Sequence, residues 1–110
     1  MAQSYLIFDF GANEDVAQRA RHRLEGWRQA FHLGEKMTLK FERTAPEKTN
    51  GGEKIRVIVR LDFSDHEKLS HQRWVDRIPS EEPFKAASPL VIRTGDVAYA
   101  KTEELFDSLA

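Results

Sequence analysis

Glu67 and His71 are the residues whose types and spacing most suggest chemistry. Four positions apart in a segment of helical periodicity, they fall on the face that also carries Trp74, Val75 and Ile78. A carboxylate and an imidazole turned inward together have two chemical uses, as an acid–base couple or as two ligands of a metal ion. A structural role competes with both. Ser64-Asp65-His66-Glu67 fits the S-x-x-E capping box, in which Glu67 closes the start of the helix. His71 then stands at the edge of the core against a backbone carbonyl. His66 lies five residues from His71 and so off that face, while His22 and His32 belong to another helical segment. No third ligand stands at a zinc-binding spacing, so neither a metal nor another cofactor is expected.

Arg56 and Arg60, joined by Lys40, form the second candidate, forked cations able to hold a phosphate or a carboxylate at two points. They sit in Lys54 to Phe63, KIRVIVRLDF, the stretch around which the chain is organised. Ile55, Val57, Val59, Leu61 and Phe63 point one way, and Arg56, Ile58, Arg60 and Asp62 the other, which is the period of a strand with one buried face. Base recognition on such a sheet needs exposed aromatic rings. Between the two arginines stands Ile58 instead, with Tyr5 the one obvious ring, and no RNP1 pattern is present. The structural alternative is a cross-strand charge ladder with Glu42 and Asp62.

The remaining elements must position these residues. Tyr5 to Phe10 reads as a central strand with Leu6, Phe8 and Phe10 inward and Tyr5, Ile7 and Asp9 outward. Asn13 caps a helix whose first turn holds Glu14 and Asp15. Its apolar stripe is Val16, Ala20, Leu24, Trp27 and Phe31, and Gly34 is the expected stop. Gly26 inside it suggests a close approach to a neighbouring backbone. Arg23 falls beside Val16 and Trp27, so it either snorkels past the core or pairs with an acid at its edge. Arg21 and Arg28 fall with Glu25 on the solvent side.

Met37 to Arg43 alternates with Met37, Leu39 and Phe41 inward, and Thr44 to Gly52 reads as a long hairpin tip. The second helix is expected to stop before Pro79. From Pro79 to Pro89 runs a proline-stiffened connector holding Glu81, Glu82 and Phe84 near Arg73, Trp74 and Arg77. It is either a lid or docking segment, or a packed connection with Phe84 in the core. Leu90 to Arg93 is a short edge strand, and Asp96 is the expected cap of a last helix bearing Ala98, Thr102, Leu105 and Leu109, widened by Tyr99 and Phe106.

Composition sets the class. With 110 residues, 40% hydrophobic and 32% charged, the chain reads as one domain, 1–110, of an ordinary globular protein. A net charge of −1 gives no global field toward nucleic acid or anionic lipid. Cysteine is absent, which excludes disulfides and thiolate metal sites. The opening MAQSYLIFDFG has neither a basic leader nor an apolar run of membrane length, so a cytoplasmic setting without a membrane partner is expected. No nucleotide-cradling glycine motif and no nucleophile elbow occur.

The order β-α-β-β-α-β followed by a helix resembles the ferredoxin-like (split βαβ) superfold, an α+β sandwich with an antiparallel four-stranded sheet in the order 4-1-3-2. The C-terminal α-helix is additional and must bury its stripe against the open sheet face, a sheet edge or a second subunit. That open face is expected to carry Tyr5, Ile7, Ile58 and Val91 amid Lys40, Glu42, Arg56, Arg60, Asp62, Asp9 and Arg93.

Three functional readings follow. The first is a non-catalytic binding or interaction domain, homodimeric through the sheet face or the C-terminal helix, with Tyr5, Ile7, Ile58 and Val91 in contact and Arg56 and Arg60 at the rim. The second is a small-molecule binder or enzyme of dimeric α+β barrel type using Glu67 and His71. A cleft opening onto His71 discriminates it. The third is an RNA- or nucleotide-binding module using Arg56, Arg60 and Lys40, against which the near-neutral charge counts.

Overall fold

The computed structural model of the chain describes residues 2–44, 54–87 and 89–109. Alternation of side chains produces four strands, β1 (Ala2–Gly11), β2 (Met37–Thr44), β3 (Lys54–Phe63) and β4 (Leu90–Arg93). Helical periodicity produces α1 (Glu14–Ala30), α2 (Lys68–Ser80) and α3 (Tyr99–Ser108). The sheet order is β2-β3-β1-β4, and every neighbouring pair is antiparallel. This is the order 4-1-3-2 read from the opposite edge. β1 and β2 are therefore parallel to each other across β3, and β3 and β4 across β1, which is the split βαβ arrangement of ferredoxin-like folds. Of the hairpin tip expected from Thr44 to Gly52, Thr44 ends β2 and 45–52 lie outside the described residues.

Two cores flank the sheet. On one side Leu6, Phe8 and Phe10 of β1 and Ile55, Val57, Val59, Leu61 and Phe63 of β3 pack under Ala17, Ala20, Leu24 and Trp27 of α1 and Trp74, Val75 and Ile78 of α2. On the other, Tyr5, Ile7, Ile58 and Ile92 pack under Phe106 of α3, with Tyr99, Leu105 and Leu109 around them. The additional helix thus takes the first of its three options, the open sheet face. Among the described residues no helix is long and apolar enough to cross a membrane.

Local chemistry explains where the elements depart from expectation. α1 opens as expected, with Asn13 Oδ1 accepting from the Val16 backbone N–H at 3.1 Å. It ends at Ala30, before Gly34, because His32 takes the left-handed conformation at φ 53°. Leu33 N–H then donates to Arg28 C=O at 2.9 Å and His32 N–H to Gln29 C=O at 3.4 Å, the paired bonds of a Schellman turn. Phe31 is left outside the buried stripe. Gly26 makes no close approach, since a Cβ built there meets nothing within 4 Å. α2 runs on through Pro79 to Ser80, where the missing N–H falls in the last turn.

The connector after α2 packs inward. Phe84 is fully buried, its ring 4.8 Å from that of Phe8 and 5.9 Å from that of Trp27. Asp96 does not cap α3, which starts at Tyr99. Its carboxylate accepts instead from the Arg93 backbone N–H at 2.7 Å and closes the turn after β4.

One face assignment is corrected. β4 pairs Ile92 with Tyr5 and Val91 with Leu6. Directly opposite residues share a face. Val91 therefore packs on the α1–α2 side and Ile92 takes the place under α3. Arg93 turns with Val91 and donates to Gln72 Oε1 of α2 at 3.0 Å.

Candidate functional site

The far face of the sheet holds most of the expected binding residues, and α3 covers its centre. Tyr5, Ile7 and Ile58 are all buried. Phe106 sits over them, 5.6 Å from the Tyr5 ring, with Lys40 Nζ 4.5 Å and the Arg60 guanidinium 4.9 Å from its ring centre. Lys40 Nζ also donates to the Phe106 carbonyl at 2.9 Å, placing a cation at the negative end of α3. Tyr99 OH donates to Gln3 Oε1 at 2.5 Å. Burial raises the Tyr5 phenol above its ordinary pKa, aided by Tyr99 and Glu103 and opposed by Arg60. Arg56 pairs with Glu42, its direct cross-strand neighbour on β2. The three cations expected to take a phosphate are therefore engaged within the chain, Arg56 by an acid and Lys40 and Arg60 by α3.

Glu67 and His71 share a helix face without forming a couple. The capping box is present, with Glu67 Oε1 accepting from Ser64 N–H at 3.2 Å and Ser64 Oγ at 2.8 Å. Glu67 Oε2 accepts from Lys36 Nζ at 2.5 Å. The Lys36 bond, followed by those from Ser64, lowers the Glu67 carboxyl to about 2, so it stays charged and occupied. His71 is buried beside the Phe63 ring at 5.6 Å, its Nε2 without a partner among the described residues. The open depression by Glu67, lined by Leu33, Lys36, Phe63 and His66, does not include His71. Among the described residues no group of three metal-ligating side chains forms.

His71 nevertheless carries a pH signature. Burial, then the nearby Arg93, pushes its pKa below the usual 6.5, with Asp62 opposing. The unfolded chain thus takes up the proton first. The stability tied to the neutral ring is complete above pH 6.5 and is lost as pH falls through the window between that value and the lower folded one. The other three histidines are exposed. Melting temperatures measured from about pH 7 to about pH 5 should therefore fall more steeply for the native chain than for His71→Gln. Parallel curves would remove His71 from this role.

The arrangement with exposed, uncommitted groups lies on the opposite side, where the end of α1 meets α2. Leaving the helical stripe puts Phe31 at 51% exposure, its ring edge-on to Trp74 at 5.2 Å. Trp27 and Trp74 lie 5.6 Å apart. Arg77 spans all three rings, its guanidinium carbon 5.5 Å from Trp27, 5.4 Å from Trp74 and 5.6 Å from Phe31. Arg23 stacks on Trp27 at 4.9 Å while pairing with Glu81 at 2.5 Å, so it both snorkels and finds an acid. Arg77 and Arg73 make no ion pair with any described residue. Phe31, Ser70, Arg73, Trp74 and Arg77 line one cleft, and Leu69, 80% exposed, stands a turn before Arg73.

Sequence reasoning placed Arg73, Trp74 and Arg77 near the connector but not with Phe31. The available signal was the pair of short runs Trp27-x-x-x-Phe31 and Arg73-Trp74-x-x-Arg77, which acquire meaning only when two helices lie side by side.

A scan against protein-family models finds no match, and a search of curated proteins finds none either. Among solved structures the chain is similar to the crystal structure of CutA1 from Pyrococcus horikoshii, at 18% sequence identity and a TM-score of 0.36, over 97% of this chain and 96% of that one. The ferredoxin-like assignment rests on the strand order and pairing described above.

Proposed function

We propose that this small α+β domain is a non-catalytic interaction module that docks an acidic protein segment across the α1–α2 face. Phe31, resting edge-on against the buried Trp74 ring, would serve as the apolar anchor, with Arg73 and Arg77 reading the charge. The observation that carries this reading is Arg77, its guanidinium carbon within 5.6 Å of three ring centres and paired with no carboxylate among the described residues. A guanidinium resting among rings is already ordered and partly dehydrated, while its N–H groups remain available for a two-point bond to a carboxylate. Tryptophan, arginine and phenylalanine around a cleft are also the composition of an interface centre.

The rival surfaces draw less support. Self-association through Tyr5, Ile7 and Ile58 requires α3 to leave them. A phosphate site at Arg56 and Arg60 requires those side chains to abandon Glu42 and Phe106. For a shared acid–base or metal role of Glu67 and His71, the depression beside Glu67 does not include His71.

The chain has two tryptophans and both lie in the patch, so intrinsic fluorescence reports its occupancy. A peptide of alternating glutamate and leucine should change that fluorescence, and a lysine–leucine peptide should not. Arg77→Glu is expected to weaken the acidic peptide by about 30-fold, the size of an interface hot spot. Equal affinity for both peptides, or an unchanged Kd in Arg77→Glu, would defeat the proposal.

A further inference from the structure

β2 is an edge strand of unusual openness. It is eight residues long and contains no proline, and its pairing with β3 shows no bulge. Among the described residues nothing pairs with its outer edge. Natural edge strands are commonly blunted by brevity, proline, bulges or outward lysines. β4, at the other edge, has four residues and follows Pro89. The one lysine on the far face of β2, Lys40, is drawn under α3 to the Phe106 carbonyl.

The residues of β2 also complement themselves. A two-fold axis perpendicular to the sheet places antiparallel copies edge to edge, and opposite residues then share a face. Any register centred on a residue satisfies that condition, among them those centred on Lys40, Phe41 and Glu42. One sets Lys40 against Lys40 of the second copy, and another sets Glu42 against Glu42. Between them, the register centred on Phe41 sets Lys40 against Glu42 twice and the two Phe41 rings against each other. Opposite charges and facing aromatic rings are the favourable cross-strand pairs, and like charges the unfavourable ones. Both partners have room for the bond, because Arg56 occupies only Oε1 of Glu42 and the Phe106 carbonyl takes one of the three ammonium N–H groups of Lys40. On the helix side, Leu39 and Phe41 are half-buried in a groove beneath Arg21, Glu25 and Arg28, and Arg21 Nε is buried there without a partner among the described residues.

We infer that the free edge of β2 is a homodimer interface, in which a second copy of this chain extends the sheet with Lys40 paired to Glu42 across the axis. The two helix-side tryptophans take no part, so this inference and the acidic-peptide reading fail separately.

Charge reversal tests it. Light scattering should give the native chain a mass that rises with concentration to twice 12.7 kDa. Lys40→Glu and Glu42→Lys each bring like charges together and should each remain monomeric. Mixed, one supplies two acids and the other two bases, so the mixture should regain the dimer mass. Unchanged tryptophan fluorescence, together with unchanged amide exchange across 99–109, confirms the fold of each variant. A native chain that stays monomeric, a dimer that survives both substitutions, or variants that fail to combine would each overturn the inference.

Discussion

Phe106→Ala is expected to cost about 3–5 kcal/mol, the usual range for emptying a buried phenylalanine site. The ring is 1% exposed and is surrounded by Tyr5, Lys40 and Arg60. Its removal leaves a void that those three cannot fill together, and both cations lose the ring face they rest on. α3 has ten residues, too few for a helix to persist in water without its packing. The cost should therefore appear first as undocking of α3. Amide exchange is expected to accelerate across 99–109 while the α1–α2 core keeps its protection, and a dye for exposed apolar surface should bind the uncovered Tyr5, Ile7, Ile58 and Ile92. Unaltered exchange in α3 would show that another residue anchors it.

The far face also shows how legible this chain is and where legibility ends. In KIRVIVRLDF the polar residues Arg56, Arg60 and Asp62 keep step around Ile58, and β3 occupies Lys54–Phe63 with its other apolar set inward. The faces of β1 also came out as read, with Asp9 between Phe8 and Phe10 the one polar residue of Tyr5 to Phe10 to set their period. Leu90, Val91 and Ile92 are all apolar, so their sequence contains no alternation. Their faces are set by hydrogen-bonded register against Tyr5 and Leu6, a long-range fact, and a one-residue slip exchanges Val91 for Ile92.

Boundaries failed where a non-glycine residue did the work of a glycine. His32 at φ 53° ends α1 early, although Gly34 was the visible signal. That small shift moved Phe31 from a presumed core position to the most accessible ring of the candidate site. The patch itself was invisible in sequence because Arg77 reaches rings from two helices, and neither helix alone predicts their spacing. Arg56 and Glu42, by contrast, became the ladder rung their alternation suggested. Charge on a strand was legible. Its availability to a partner was not, because that depended on where α3 came to rest.

Phe84→Ala should produce a loss of similar size, about 3–5 kcal/mol, with a different signature. Phe84 sits on a single turn, Phe84–Ala86, inside the connector, yet it is fully buried between Phe8, Phe10 and Trp27. It joins the connector to the same core that holds α1 and α2, so its loss is felt by the cooperative unit as a whole. Unfolding followed by tryptophan fluorescence and by circular dichroism should shift together, because Trp27 touches the emptied site. Phe106→Ala should leave the tryptophan signal of the native state unchanged, since both tryptophans lie across the sheet from α3. Phe84→Leu, which keeps most of the volume, should recover stability to within about 1.5 kcal/mol of the native chain. If Phe84→Ala costs less than about 1 kcal/mol, the connector is not part of the core and the packing of α1 and α2 does not depend on it.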